Sequence, residues 1–313
     1  MGANIALNFA SHGLAVRLTD VSVEQLSKAK ELARGNAAFL RENGLLPGFA
    51  EEILARVVYT SDRDVALAGA ELVIEAIPES LPLKRSLFAE LDRGCGSEVV
   101  FASNTSTFLP STLATSLVHP ERRRRFMVLH YWNPAHLIPL VEIVPHPEVD
   151  FHVLEDVQRL LERCQKQPVV LRKEVPGFIG NRLAFALQRE AMDLVARGVA
   201  TAEEIDTVAR TSFGRRLPVS GIFGTADLGG LDVYLAVCAS LFPDLSNQQE
   251  PPAALASLVK AGKLGVKSGA GWRSYTGSEI VALRESLATE LVHQAKLDRQ
   301  FSESQPPEPP SRS

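Results

Sequence analysis

The first twenty residues restrict the fold more than any other stretch of this chain. Met1-Gly2-Ala3-Asn4-Ile5-Ala6 leads through Phe9 to Gly13, and the apolar run Leu14-Ala15-Val16-Arg17-Leu18 then stops at Asp20. An amphipathic Ala/Leu-rich helix opening on glycine, followed by a short strand that ends in an acid, forms the later part of a βαβ unit. The strand and glycines that come first in such a unit are not in the sequence as written, and we expect them upstream of Met1. In a doubly wound sheet that first strand is central, so its loss would leave two backbone edges unpaired.

The pattern continues as an α/β alternation to about residue 173. Val57-Val58-Tyr59, Leu72–Glu75, Val99–Ala102, Phe126–His130 and Leu140–Val144 read as strands, while Val21–Glu42, Leu83–Leu91 and Val153–Cys164 carry helical spacing. Strands alternating with helices predict a mostly parallel sheet covered on both faces. The character changes at Glu174-Val175-Pro176-Gly177-Phe178. Beyond it Ile179–Arg197, Thr201–Thr211 and Asp232–Leu241 read as helices, with Thr201 and Glu204 forming a capping box ahead of the Ile205/Val208 stripe. The expected organisation is an α/β Rossmann-type doubly wound sheet over residues 1–173, with its first strand missing, then an all-helical domain over 174–276. Residues 277–313 would add a last amphipathic helix near 279–299 and a disordered tail rich in Pro, Ser and Glu from Ser302.

Composition narrows the function classes. The 313 residues allow about two domains with real cores. A formal charge of -4 gives no reason to expect a nucleic-acid partner. Cys95, Cys164 and Cys238 are odd in number and widely spaced, which suits neither a disulfide framework nor a metal site and fits a cytoplasmic location. No apolar run is long enough to span a membrane, and no secretory leader is expected.

Asp20, at the end of a strand, is placed to accept hydrogen bonds from an adenosine ribose and to repel a 2′-phosphate. Neither Val21 nor Ser22 adds a cation, so NAD is expected rather than NADP; an Asp before Ser also reads as a helix cap. Two further strand exits, Ile74-Glu75-Ala76-Ile77-Pro78-Glu79 and Phe101-Ala102-Ser103-Asn104-Thr105-Ser106, enter polar residues at the edge where open α/β sheets bind ligands. Arg122–Arg125 is a basic run that suits an anionic substrate but reads more simply as a solvated loop. The glycine-rich Gly221–Gly230 segment reads as a link between helices, without the Lys-Ser/Thr pair of a phosphate loop.

The candidate chemistry lies at His130, which ends a strand, and Glu142, which stands among aliphatic residues twelve positions later. A buried carboxylate needs a partner. Paired with histidine, Glu142 would fix the ring tautomer while His130 moves a hydroxyl proton. The residues equally allow an ordinary strand-end histidine and a solvent-facing glutamate.

The motifs MGANIA (1–6), IEAIPE (74–79), FASNTS (101–106), HYWNP (130–134), PLVEIVPHPE (139–148) and VPGFIGNRL (175–183), with the segment ending near Gly265–Trp272, resemble the L-3-hydroxyacyl-CoA dehydrogenase family, including its lambda-crystallin/L-gulonate 3-dehydrogenase branch. The resemblance runs from Met1 to about residue 276. It implies an NAD-dependent oxidoreductase of fatty acid metabolism that interconverts (S)-3-hydroxyacyl-CoA and 3-oxoacyl-CoA, of short chain. It also implies catalytic roles for His130, Glu142, Ser106 and Asn181, and cofactor contacts at Gly2, Asp20, Glu79, Lys84, Asn104 and Ser106, with no metal. The helical domain would make a homodimer. Pro139, where many CoA-active members have lysine, is similar to the lambda-crystallin side, so a free small 3-hydroxy acid is the alternative substrate. A relative without NAD binding is the alternative class.

Overall fold

The computed structural model describes residues 1–304, with side chains described to residue 300. Helix α1 (Gly2–Ser11) leads into β1 (Val16–Thr19), then α2 (Val23–Glu42), α3 (Ala50–Ala55) and β2 (Val57–Thr60). A short α4 (Arg63–Leu67) precedes β3 (Leu72–Glu75), α5 (Leu81–Gly94), β4 (Val100–Ser103) and α6 (Pro110–Ala114). Strands β5 (Phe126–Tyr131) and β6 (Leu140–Pro145) are followed by α7 (Phe151–Arg163) and β7 (Gln167–Val170). Helices α8 (Gly180–Ala196), α9 (Ala202–Thr211), α10 (Leu217–Gly229), α11 (Leu231–Leu241), α12 (Ala253–Lys260) and α13 (Gly277–Ser304) complete the described chain.

The architecture is Rossmann-like α/β followed by helices, but the strands form two sheets. β1 and β2 pair in parallel, and β3-β4-β5-β6-β7 form a second sheet in that order, parallel except between β5 and β6. β1 and β3 therefore each carry an edge that no described strand pairs. Helix α1 serves both sets of strands: Ile5 and Phe9 pack with Val16 as well as with Leu72, Ile74 and Met127. On the other face Phe88 stacks edge-on to Phe126 at 4.9 Å, closing a core with Phe101, Leu113 and Phe178.

Two compact units emerge from the contacts: Met1–Asn181 together with residues from Leu287 onward, and Arg182–Ser286. The first has a dense core. The second has none of its own: no residue of α9 through α12 is buried, and Val219, Phe223 and Leu228 are 89%, 84% and 84% exposed. The last helix crosses back, so that Val292 of α13 is buried with Leu7, Leu40 and Val57 of the first unit. Among the described residues no single helix is long and apolar enough to cross a membrane; α10 and α11 reach that composition only as a pair bent by 98°.

Some local expectations change. Thr201 and Glu204 do form the reciprocal capping box of α9. The Gly221–Gly230 segment links helices at its two ends, with Gly221 at φ +63° dividing α10 into two helical pieces and Gly230 at φ +87° separating α10 from α11, while the residues between are helical. Arg122 is not in a solvated loop: it is 3% exposed, bonded to Asp92 and to the carbonyls of Cys95, Gly96, Ser97 and Val99. Burial there is sustained because every guanidinium nitrogen has an acceptor. Apart from the last turn of α13, the tail read from Ser302 lies outside the described residues.

Candidate active site

All six residues of β5 are buried, so a polar side chain on it must find a partner within the protein. The antiparallel register sets His130 directly opposite Glu142 on β6, and directly opposed residues share a face of the sheet. The imidazole Nδ1 lies 2.8 Å from Glu142 Oε2, with the two side chains 5% and 2% exposed. The rest of the carboxylate is equally occupied. Oε1 accepts the backbone N–H groups of Ile179 at 2.8 Å and Gly180 at 3.0 Å, and Oε2 also accepts the Trp132 indole N–H at 3.3 Å.

The two amides reach Glu142 because the chain turns sharply before α8. Gly177 at φ +76° is followed by Phe178 at φ +54°, a left-handed conformation that a bulky residue adopts at a cost of order 1–3 kcal/mol. Full burial of the Phe178 ring, 5.3 Å from the His130 ring, offsets that strain. The opening amides of α8 have no carbonyl within the helix to accept them, and the anion of Glu142 takes that place.

Burial works to raise the Glu142 pKa. Hydrogen bonds from His130, Gly180, Ile179 and Trp132 together outweigh it and hold the carboxyl below the usual range. An ionised Glu142 is an acceptor only, so in the neutral imidazole Nδ1 carries the proton and Nε2 presents a lone pair.

A second polar cluster lies at the exits of β3 and β4. Glu75 faces Ser103 across the strands and accepts its hydroxyl, and it also accepts the Ile77 amide at 2.6 Å. Lys84, 1% exposed, donates to Glu75 at 2.7 Å and lies 3.2 Å from Glu79 Oε2. The ammonium of Lys84, which the resemblance put on the nucleotide side, is enclosed between two carboxylates. Glu79 is exposed and gathers the Thr105 hydroxyl, the Ser106 amide at 3.1 Å and the Thr107 hydroxyl at 2.8 Å on one oxygen. Burial works against its charge, but Thr105, Thr107 and Lys84 together lower its pKa.

Other predicted residues join these clusters through the backbone. Asn104 accepts the Tyr131 amide at 2.9 Å, tying the exit of β4 to the residue beside His130. Asn181 does not cap its helix; its side-chain amide donates to the Ser106 carbonyl at 3.1 Å. The Ser106 hydroxyl has no partner among the described residues. Glu75, Trp132, Phe178 and the Ile179 and Gly180 amides were not among the predicted site residues. Glu75 had a signal, as an acid closing the apolar run Leu72-Val73-Ile74, whereas backbone amides carry none.

Gly2 and Asp20 make no bond to either cluster. Gly2 opens α1 after an N-cap, Met1, that offers no side-chain cap, and a Cβ at Gly2 would lie 3.9 Å from Ala76 at the exit of β3. Asp20 uses Oδ1 for the Ser22 amide at 2.9 Å and leaves Oδ2 open, while Ser22 itself caps α2. An uncapped helix start beside a strand exit, and a carboxylate oxygen with no cation next to it, fit the pyrophosphate and ribose of NAD. Among the described residues no group of His, Cys, Asp and Glu side chains could hold a metal ion.

Such a nucleotide-binding sheet, with a buried His–Glu pair on its central strands, defines an oxidoreductase of the NAD-dependent class. Comparison with known families gives the particular one. Residues 1–175 match the 3-hydroxyacyl-CoA dehydrogenase NAD binding domain, and residues 177–275 match the C-terminal domain of the same enzymes. The chain belongs to the 3-hydroxyacyl-CoA dehydrogenase family, and NAD is its cofactor. It is 33% identical over 293 residues, 93% of each chain, to 5-formyl-3-hydroxy-2-methylpyridine 4-carboxylate 5-dehydrogenase of Mesorhizobium japonicum. It is also 33% identical over 276 residues, 88% of this chain and 96% of the other, to a probable 3-hydroxybutyryl-CoA dehydrogenase of Deinococcus radiodurans. A crystal structure of the pyridine carboxylic acid 5-dehydrogenase, described as an NAD+-dependent dismutase, is similar at 32% identity with a TM-score of 0.87, covering 98% of this chain and 96% of that one.

Proposed function

We propose that this chain interconverts a short-chain (S)-3-hydroxyacyl-CoA and its 3-oxo counterpart, with His130 moving the hydroxyl proton. The observation that carries the reading is the buried His130–Glu142 pair, whose geometry leaves Nε2 as the open proton acceptor. As the C3 hydrogen leaves with its electron pair, Nε2 takes the hydroxyl proton; in reduction the same nitrogen returns it. Bound NAD supplies the hydride acceptor, and NADH the donor. The Glu142 charge stabilises the imidazolium that forms. The Ser106 hydroxyl and the Asn181 amide are the uncharged groups that orient the reacting oxygen, and Asn181 is steadied by its bond to the Ser106 carbonyl. Gly2 and Ala3 at the start of α1 would hold the pyrophosphate, Asp20 the adenosine ribose, and Glu79 and Asn104 the nicotinamide end.

A second substrate reading has its own support. The pyridine carboxylate enzyme, named for a free acid, is similar over nearly the whole chain, and the position that is lysine in many CoA-active members is Pro139 here. Both readings use the same pair and the same proton transfer. Initial rates with NAD and either (S)-3-hydroxybutyryl-CoA or free hydroxy acids separate them. A kcat/KM at least about tenfold higher for the thioester is expected, and preference for the free acids would replace the first reading by the second.

The same proposal includes a homodimer. Helices that bury nothing within their own unit leave Val219, Phe223, Leu228 and Leu235 exposed, and this much exposed apolar surface favours association. Light scattering is expected to give twice the chain mass.

A further inference from the structure

We propose that Trp132 is a positioning residue for the His130–Glu142 pair, and that Gly180 is glycine because the indole occupies the space a side chain would need. The proposal rests on the reading of His130 as the acid/base group. Trp132 follows His130 by two residues, and its ring centroid lies 5.7 Å from the imidazole. An indole has one N–H and no acceptor, so its approach to Oε2 at 3.3 Å is a donor meeting a carboxylate oxygen. That oxygen is the one that holds His130 Nδ1, whereas the other is held by the Ile179 and Gly180 amides. With two donors on each oxygen, the carboxylate cannot rotate without losing bonds on both. Without the indole, Oε2 would lose one of its two donors, and water entering the vacated space could compete with the imidazole.

Gly180 shows that the contact is specific. A Cβ there would lie 2.4 Å from Trp132 Cζ2, 3.1 Å from Cε2 and 3.3 Å from Nε1, the edge of the ring that carries the donor. The backbone gives no separate reason for glycine: Gly177 has a positive φ, but Gly180 does not. The backbone at 180 cannot simply withdraw either, because its N–H is bonded to Glu142. A residue that only filled space beside His130 could be phenylalanine with a side chain at 180; the indole edge and the bare Cα fit each other.

The test uses the two tryptophans of the chain, Trp132 and Trp272, as separate indole N–H signals in 15N NMR of the full-length protein. Glu142→Gln is expected to move the Trp132 indole resonance and leave that of Trp272 in place; an unmoved Trp132 signal overturns the proposal. In steady state, Trp132→Phe is expected to lower kcat about tenfold, the scale of one hydrogen bond to a charged group. KM for NAD should change less than about twofold, and the acid limb of the kcat profile should move to higher pH. A kcat and pH profile unchanged from the parent protein would make Trp132 a packing residue only. Gly180→Ala is expected to lower kcat in the presence of Trp132 and to add little once Phe, which lacks Cζ2, replaces it; independent, additive effects would overturn the assignment of Gly180. If Trp132→Phe does not fold, the indole resonances decide. If the parent protein oxidises no hydroxy substrate, the proposed function fails while the indole signal still reads the positioning.

Discussion

Glu142 and Glu75 are both buried carboxylates at paired strands, each with a nitrogen base as its main partner, and they are built for different ends. Glu75 meets Lys84, whose ammonium is enclosed by Glu75, Glu79 and the Ile77 carbonyl, and both Glu75 oxygens and the ammonium are spent inside the protein. Glu142 meets His130, whose ring can satisfy the carboxylate with one nitrogen and leave the other open. A lysine offers one charged centre, whereas an imidazole offers two nitrogens with separate roles. The contrast teaches that burial of an ion pair does not by itself mark a site of chemistry; an atom left over does.

The sharpest way to break this comparison is His130→Ala. Turnover should fall roughly 10²–10⁴-fold, the range for a lost acid/base group, with NAD affinity by fluorescence titration changed little. Turnover near that of the parent would reduce the pair to structure, like Glu75 and Lys84. Glu142→Gln comes next. Its carbonyl must face the Ile179 and Gly180 amides, which turns its NH₂ toward Nδ1 and forces the proton to Nε2. That tautomer cannot accept a proton at the open nitrogen, and kcat should fall about 10²-fold or more; a loss under threefold would show that the tautomer is set elsewhere.

Lys84→Met tests the other member of the comparison. Removing one partner of a buried pair leaves Glu75 uncompensated, at a cost of about 3–5 kcal/mol. Denaturant unfolding should register most of this as a lower midpoint, with turnover per folded molecule falling less than in Glu142→Gln. The reverse order of effects would return Lys84 to the cofactor side.

How much of this could be read from the sequence depends on what the signal was made of. His130 and Glu142 stood out as a histidine at a strand end and an acid inside an apolar strand, but the residues alone left their pairing open; the resemblance assigned it, and antiparallel register brings them together. Lys84 was placed on the nucleotide side by resemblance alone, and sequence does not show which way a helical side chain points. The clamp on Glu142 was illegible. It is made of backbone amides at Ile179 and Gly180, and of a close approach that only coordinates reveal. β7 was hidden by Pro168, a residue that argues against a strand yet is tolerated at this sheet edge. The glycine-rich spacing of Gly221–Gly230 marked the breaks at its two ends but not the helical residues between them.

A smaller effect separates the clusters by pH. Glu142 is ionised below the usual carboxylate range in the folded state, so its contribution to stability is complete above the unfolded value of about 4.3 and is lost as pH falls through the lower folded value. Asp92 has the same sign: burial opposes its charge, but the His119 amide, Arg122 and the Val118 amide together lower its pKa. Stability measured from pH 6 to 2 should therefore decline, and Glu142→Gln should remove part of that slope; an unchanged slope would assign it to Asp92 and other acids. The mildest expected change is Asp20→Asn, which should weaken NAD binding severalfold and leave the unfolding midpoint nearly unchanged, because only its bond to the Ser22 amide is at stake.

The return of α13 to the first unit has a consequence for how the molecule is made. Val292 is buried among Leu7, Leu40, Leu45 and Val57, and Arg299 donates to the carbonyls of Gly44 and Leu45. Residues ahead of the helical unit are thus covered by residues that follow it in the chain. The nucleotide-binding unit cannot finish its core as the ribosome releases it, and must wait, partly open, until more than a hundred residues of helical chain have followed.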